Sequence, residues 1–374
     1  SGIITRIGVL HEDIDDSLDM ISMSEDGTMV LLCVNNTVYF YRIYDNTIGT
    51  RVVVYESGSD VKSISLSRDG RHIAIGLSHT DITSYLINNG KVITYIVSPD
   101  GYTFLESGHI TGKWGNERLG SSVSFNTDGT ELVVGIPGYR RFTSSGVPLQ
   151  TTARNNNGAV RKYSYDNGWN EDYTINNPVE NDSSGTFGTN VILSPNGVNM
   201  MVLDTDNGIY SIQGTTTTSI GTVDTPYQIE FFGNVPYSIT NEGITSIHIS
   251  GVGWEAKYIN SGIGIYDKIN TDATDEDYFY ITSLSSDGRK LAVSQRKKLD
   301  TSDRLVMIYI LNAANQWVYD SNISVSDVLY SDLTPTDFDI SEFSDNKCFH
   351  HKLSGDGNTF IYGFNKINSN DITV

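Results

Sequence analysis

A short unit containing Asp-Gly returns along the chain, and it constrains the fold more than any other sequence feature. In the first copy, the alternating run 21–24 leads into Asp26-Gly27, and a second apolar run follows. Asp-Gly between two such runs is typical of a tight β-hairpin, so every copy predicts two paired strands. The other copies centre on Asp69-Gly70, Asp128-Gly129, Asn196-Gly197, Asp287-Gly288 and Asp356-Gly357, and a degenerate copy lies at Gly233-Asn234.

Two further apolar runs follow most hairpins. After the third hairpin they are 158–163 and 169–175, and after the sixth they are 305–310 and 317–323. Each unit therefore contains four predicted antiparallel strands, which is the content of one blade of a β-propeller. The 43 residues that separate Gly27 from Gly70 match a four-stranded blade of roughly 40–50 residues.

The seven units predict an all-β fold, a seven-bladed β-propeller of four-stranded antiparallel blades that occupies residues 1–374 as a single domain. The last unit has sequence for three strands only, because little chain follows its hairpin. The apolar run 3–10 precedes the first unit, and we expect it to supply the missing fourth strand. Closing the ring in this way removes exposed strand edges, which otherwise favour aggregation.

The third unit resembles a known repeat family. It starts with Leu119-Gly120, continues through the hairpin at Asp128-Gly129, and then contains Gly135, Gly158 and Tyr163. Over residues 119–163 this pattern is similar to the FG-GAP repeat of integrin α subunits, and Phe187-Gly188 starts a weaker match. The resemblance implies a seven-bladed propeller. The family's calcium sites are not expected in this chain, because the segment 126–130 is too short and carries too few carboxylates.

Composition excludes some classes of partner. The formal net charge is −20, and no basic stripe offsets it, so we expect no nucleic-acid binding. No run approaches the ~18 apolar residues of a membrane span, so we expect no membrane insertion.

The segment Asp204–Gly208 alternates oxygen ligands as a calcium loop does, but its position in the repeat favours a hairpin turn. We therefore expect no metal and no cofactor.

No catalytic constellation is evident. Carboxylates are too numerous to pair from sequence alone, and the histidines do not follow the repeat. The chain has neither a phosphate-binding glycine loop nor a nucleophile elbow. We therefore predict that the protein is not an enzyme and has no catalytic residues. The alternative, a propeller hydrolase or lyase, would require carboxylates or histidines that converge at the mouth of the central channel.

Insertions on a rigid scaffold are where binding is expected. The insertion 138–157 carries aromatic and basic residues that stand out in an acidic chain, and the segment 109–118 adds a tryptophan. Arginine and aromatic side chains are favoured anchors of protein interfaces. The candidate binding residues are Trp114, Tyr139, Arg140, Arg141, Phe142 and Arg154.

These observations favour a non-catalytic propeller that serves in protein–protein contact or as a structural part of an assembly. Its partner would be another protein or assembly, and composition slightly favours an extracellular, cell-surface or virion setting. Besides the enzyme, a second alternative to the scaffold is a glycan-binding or adhesion propeller. That alternative would require an exposed Trp or Tyr platform, formed by Trp114, Trp169, Trp254 or Trp317.

Overall fold

The computed structural model describes most of the first two thirds of the chain and parts of the remainder. The described residues are 9–11, 18–45, 47–56, 58, 60–140, 158–179, 187–204, 208–221, 228–232, 235–240, 243–250, 253–258, 279–285, 289–296, 304–313, 317–324, 350–365 and 370–373.

Strands account for the regular structure of this part of the chain. A first strand, β1 (Val9–His11), precedes a sheet made of β2 (Leu18–Met23), β3 (Met29–Val34), β4 (Thr37–Tyr44), β5 (Thr47–Ile48) and β6 (Val52–Glu56). The second sheet comprises β7 (Ser63–Leu66), β8 (His72–Leu77), β9 (Lys91–Val97) and β10 (Phe104–Thr111). The third comprises β11 (Ser122–Phe125), β12 (Glu131–Ile136), β13 (Ala159–Tyr165) and β14 (Trp169–Asn176).

The later sheets repeat this order. The fourth comprises β15 (Asn190–Leu193), β16 (Asn199–Asp204), β17 (Gly208–Gln213) and β18 (Thr216–Gly221). The fifth comprises β19 (Gln228–Phe232), β20 (Val235–Thr240), β21 (Gly243–Ser250) and β22 (Gly253–Tyr258). The sixth comprises β23 (Phe279–Leu284), β24 (Lys290–Arg296), β25 (Arg304–Leu311) and β26 (Trp317–Ser324). The seventh comprises β27 (His350–Leu353), β28 (Phe360–Asn365), β29 (Asn370–Thr373) and β1.

Consecutive strands pair antiparallel within each sheet, as the repeat predicts, except that β6 of the first sheet pairs with β4. The predicted use of the N-terminal segment is confirmed for β1, in which Val9 pairs with Thr373 of β29. The predicted hairpin at Asp204 is also confirmed, because Asp204 pairs with Gly208. Among the described residues no helix is long and apolar enough to cross a membrane.

The second strand of each well-described sheet is buried on both faces. In β8, Ile73 and Ile75 pack with Leu31 of the first sheet, whereas Ala74, between them, packs with Leu132 of the third. Successive side chains of a strand point to opposite faces, so one strand contacts both neighbouring sheets. This arrangement explains why these strands are continuous apolar runs and not alternating ones.

Four hydrophobic clusters of this kind join five sheets in series. They run from Ile361 in the seventh sheet, through the first, second and third sheets, to Val202 in the fourth. Side-chain packing therefore establishes five blades, where the sequence predicted seven. The fifth sheet and most of the sixth contribute strands whose side chains lie outside the described part of the chain.

The Asp-Gly repeat is explained by the hydrogen bonds of its turn. Oδ1 of Asp69 accepts from the Ser67 hydroxyl and, at 3.0 Å, from N–H of Arg71, while Oγ of Ser67 accepts from N–H of His72. Gly70 adopts φ of +74°, a left-handed conformation that glycine reaches at little cost. The pairs Ser24/Asp26, Ser194/Asn196 and Ser354/Asp356 repeat this arrangement. In the third hairpin Asp128 accepts from N–H of Thr130, but Nδ2 of Asn126 donates to the Thr130 hydroxyl instead.

The Leu-Gly and Phe-Gly motifs mark close packing between blades. A Cβ on Gly135 would lie 1.9 Å from the carbonyl oxygen of Gly188, which belongs to the linker into the next blade. The hydroxyl of Ser122 donates to the same carbonyl at 3.0 Å. Gly76, Gly120 and Ser63 repeat this contact one blade earlier. The motif therefore serves the joint between blades in this chain.

Candidate functional site

The two ends of the propeller differ in the segments they display. Because the strands alternate in direction, the Asp-Gly hairpins lie at one end, called here the hairpin face. The loops between second and third strands, and the linkers between blades, lie at the other end, called the loop face. On the loop face the first loop is 78–90, the second is 112–121, and the third begins at 137.

Backbone hydrogen bonds join the three loops to one another. N–H of Asn116 in the second loop donates to the carbonyl of Ile87 in the first at 2.7 Å, and N–H of Arg118 donates to Asn88 at 3.0 Å. N–H of Gly138 in the third loop donates to the carbonyl of Glu117 at 3.0 Å. The loop face of the second and third blades is therefore a connected surface with satisfied backbone groups.

A buried ion pair lies beneath these loops. Nη2 of Arg161 donates to Oε1 of Glu117 at 2.9 Å, and both side chains are only 2% exposed. Oε2 of Glu117 accepts from N–H of Lys113, so the carboxylate also fixes the shape of the second loop. Breaking such a pair leaves an uncompensated buried charge. The pair therefore couples the β-sheet of the third blade to the loop surface.

The surroundings of Arg161 favour its charged form. Burial alone would lower the pKa of Arg161, but the adjacent Glu117 carboxylate, together with Tyr163 and Glu171, outweighs burial and raises the pKa above its ordinary value. The guanidinium carbon lies 5.3 Å from the ring centroid of Tyr139, within cation–π range. Within the described residues Nη1 has no hydrogen-bond partner, so the charge is held at a desolvation cost.

Large apolar side chains are exposed on this surface. Tyr85 is 92% exposed and Trp114 is 49% exposed, and Ile82 and Ile87 lie on the same first loop. We call Ile82, Tyr85, Ile87 and Trp114 the loop-face patch. The hydrogen bond from Asn116 to Ile87 brings the two loops together, so the four side chains belong to one surface.

Basic residues border the patch. Lys113 and Arg118 lie on the second loop and Arg140 on the third, and all three are exposed. Nζ of Lys113 pairs with Glu171 at 2.7 Å. Burial would raise the pKa of Glu171, but hydrogen bonds from Lys113 and Thr174 and the nearby Arg161 charge outweigh it and lower the pKa below its ordinary value. In a chain of net charge −20, this border is locally basic.

The structure supports the predicted binding residues only in part. Trp114 is exposed, as an interface residue must be, and Arg140 is exposed on the third loop, which the bond from Gly138 to Glu117 joins to the loop of Trp114. Tyr139 is half-buried and packs against the core of the third blade, so it supports the surface from below. Arg141, Phe142 and Arg154 lie outside the described residues.

Sequence reasoning missed the first loop. Ile82, Tyr85 and Ile87 stand in an insertion that departs from the repeat, and three large apolar residues in a loop are a recognisable signal of a binding surface. The predicted binding residues came from the insertion 138–157 and the segment 109–118, and none came from the loop 78–90.

Trp169, one of the tryptophans predicted to form an exposed aromatic platform, packs between blades. Nε1 of Trp169 donates to Oγ1 of Thr94 at 2.8 Å, and the ring packs against Phe125 and Tyr165. Trp169 therefore joins the second and third blades. The side chains of Trp254 and Trp317 lie outside the described part of the chain.

A cavity of about 160 Å³ lies where the first strands of successive blades meet. It is lined by Ser22, Ser65, Ser124 and Lys352 from those strands and by Glu25 and Arg68 from the hairpins. Among the described residues that line it, one is a carboxylate and none is a histidine. Over the described residues as a whole, no group of three or more His, Cys, Asp or Glu could hold a metal ion.

Comparisons with known proteins agree on the fold. No family model and no curated protein matches the chain, so the FG-GAP resemblance is not supported. Among solved structures, the β-propeller domain of Cps50 (Swd1) from Myceliophteria thermophila matches with a TM-score of 0.59 and 8% identity, over 98% of this chain and 99% of that one. A chain of the mitotic checkpoint complex matches with a TM-score of 0.57 and 13% identity, over 99% and 94%.

These likenesses and the sheet topology together define the class: the protein is an all-β propeller with four-stranded antiparallel blades. Identities this low identify the fold alone. The function has to be argued from the surface of the chain itself.

Proposed function

We propose that this protein is a non-catalytic propeller scaffold that binds a partner protein through the loop-face patch. The observation that carries the proposal is the exposure of Tyr85 and Trp114 together on two loops that hydrogen bonds hold against each other. Large exposed aromatic residues on an ordered surface are typical anchors of protein interfaces.

The scaffold in this proposal is one closed ring of seven blades that spans residues 1–374. Its support is that the chain forms seven sheets and that the first strands of neighbouring sheets contact one another in order around the ring. The contacts β15–β19, β19–β23 and β23–β27 continue the series beyond the five packed blades, and β27–β2 closes it.

The residues of the loop-face patch and its basic border define which groups the partner surface should present. It presents apolar or aromatic side chains to Tyr85 and Trp114, and carboxylates to the basic border at Arg118 and Arg140. Charges at the rim of an interface mainly set the association rate and the choice of partner, whereas buried aromatic contacts supply most of the affinity.

The solved neighbours support a protein partner. One is, by its description, a chain of the mitotic checkpoint complex, and the other is the propeller domain of Swd1. Neither description supports the cell-surface or virion setting expected from composition, and the proposal does not include it.

Photo-crosslinking tests the proposal. A crosslinking amino acid at Tyr85 should capture a defined protein from the native source, and the double variant Tyr85→Ala with Trp114→Ala should abolish that complex while the fold is retained. The matched control is Tyr102→Ala with Leu105→Ala, which removes two side chains that are 49% and 68% exposed on other segments. Equal binding of the partner by both double variants would overturn the proposal.

A second candidate is glycan binding, which the exposed Trp114 and Tyr85 favour, since sugars stack on such rings. The same two double variants discriminate on a glycan array. Saturable glycan binding that the patch variant loses, with no protein crosslinked from Tyr85, would replace the protein partner by a glycan.

A further inference from the structure

The central cavity on the hairpin face has a chemistry distinct from that of the loop-face patch. Its wall is built from the first strands of five blades, and its rim is built from hairpin residues such as Glu25 and Arg68. A volume of about 160 Å³ is several times the roughly 30 Å³ that one water occupies in the liquid, and it is well below the volume of a drug-sized pocket. It suits a small polar group.

Serine hydroxyls follow the repeat around this cavity. Oγ of Ser22 accepts from N–H of Leu66 at 3.0 Å, Oγ of Ser65 accepts from Phe125 at 3.2 Å, and Oγ of Ser124 accepts from Leu193 at 3.0 Å. Each hydroxyl thus uses one acceptor position to join its blade to the next and keeps its hydrogen to donate.

None of these three hydroxyl hydrogens meets an acceptor in the described residues. Because Ser22, Ser65 and Ser124 line the same cavity, they present three donors to whatever enters it. A ligand rich in acceptors is the complement of such a wall.

The charged groups add to this preference. Lys352 lies on the wall, and Arg68 lies at the rim, where its Nη1 contacts Glu25 at 2.8 Å. Two cations and one carboxylate give the described lining a net positive charge in a chain whose net charge is −20. Charge-assisted hydrogen bonds to an oxyanion are roughly twice as strong as neutral ones.

We propose that the central cavity binds an oxyanion, the carboxylate or phosphate group of a small ligand or of an acidic peptide, between Lys352, Arg68 and the serine hydroxyls. Glu25 competes with that ligand for Arg68. The site does not depend on the loop-face patch and lies at the opposite end of the propeller.

Titration of the full chain tests this site. Inorganic phosphate, malonate and a hexaglutamate peptide are each titrated while thermal unfolding is followed, with sodium chloride at equal ionic strength as the control for screening. A ligand that binds only the folded state raises the midpoint by a stabilisation that grows as the logarithm of its concentration above Kd, and the control salt should not. A rise of this form with phosphate or malonate indicates a small ligand, and a rise with the peptide alone indicates an acidic protein segment.

Three variants make the test specific. Lys352→Gln should weaken the apparent affinity about tenfold or more, since a hydrogen bond to a charged group contributes that much. Glu25→Gln should strengthen it, because the competing carboxylate is gone. Lys91→Gln, on β9 and outside the cavity lining, should leave it unchanged.

The gain expected for Glu25→Gln keeps the test informative even if Lys352→Gln unfolds. An adventitious effect of salt would shift all variants alike. The proposal is overturned if no probe raises the midpoint beyond the control salt, or if the affinity is the same in Glu25→Gln, Lys91→Gln and the unaltered chain.

Discussion

The hairpin face and the loop face are built by the same blades but follow different rules. On the hairpin face, one turn recurs with the same Ser–Asp contacts, and backbone bonds join neighbouring tips, as from N–H of Glu25 to the carbonyl of Arg68. On the loop face of the second and third blades, the loops differ in length and sequence. Backbone hydrogen bonds join them, and one buried ion pair, Glu117 with Arg161, lies beneath them.

The difference indicates that the hairpin face contributes mainly to stability and the loop face mainly to specificity. A contact repeated in several of the described hairpins is shared among their blades, and the loss of one copy leaves the others intact. A contact made once has no substitute. The loop face should therefore be sensitive to single substitutions beneath it, whereas the hairpin face should tolerate them.

The largest effect is expected at the buried pair. Glu117→Gln removes the negative charge and leaves the buried Arg161 guanidinium with Glu171, 3.8 Å from its Nε, as its remaining carboxylate. The expected cost is about 3 kcal/mol of unfolding free energy, the lower end for breaking a buried pair. Chemical denaturation measures the loss. Hydrogen exchange should show it concentrated in the loops 78–90 and 112–121, which the pair supports.

The matched control for this variant is Glu106→Gln. Glu106 lies on the neighbouring β10, and its carboxylate is 51% exposed beside His109, so its loss should change stability by less than about 0.5 kcal/mol. Equal losses in the two variants would mean that the pair does not hold the loop face together.

A smaller effect is expected on the hairpin face. Asp69→Ala removes the acceptor for the Ser67 hydroxyl and for N–H of Arg71, and two such bonds contribute about 1–2 kcal/mol together. Asp166→Ala, in a turn outside the repeat, is the control. A loss of unfolding free energy as large as that of Glu117→Gln would contradict the idea that the repeated contacts share the stabilisation of the ring.

The sequence predicted the repeated part of this molecule well. The hairpins, the four-stranded antiparallel blade and the pairing of β1 with β29 depend on local turn chemistry and on alternation, and both can be recognised from residue types. Seven units were counted, whereas described side chains document the packing of five blades.

The site was less predictable because it arises from contacts between distant segments. Nothing in the sequence pairs Glu117 with Arg161, 44 positions later, or places Ile87 beside Asn116. Trp114 was predicted for its residue type, and its exposure agrees. Tyr139 was predicted for the same reason, but its ring packs against the core beneath the surface.

The smallest expected effect is a change in acid stability of the hairpin face. Hydrogen bonds from Thr130 lower the pKa of Asp128 below its ordinary value of 3.8. Burial would raise the pKa of Asp26, but bonds from Thr28 and Ser24 outweigh it and lower the pKa below the same value. A carboxylate whose pKa is lowered by folding stabilises the folded state fully above 3.8, and this contribution is lost as pH falls through the lowered pKa.

The fourth hairpin supplies the variant that tests this effect, because Asn196 accepts from Ser194 and Val198 without a titrating group. Asp26→Asn with Asp128→Asn keeps the acceptor in both turns and removes the two titrations. Unfolding free energy measured against pH should therefore fall less steeply below pH 3.8 in the double variant than in the unaltered chain. Parallel slopes would show that the hairpin carboxylates act through hydrogen-bond geometry alone, and that the acid response of the ring comes from groups elsewhere, such as Glu171.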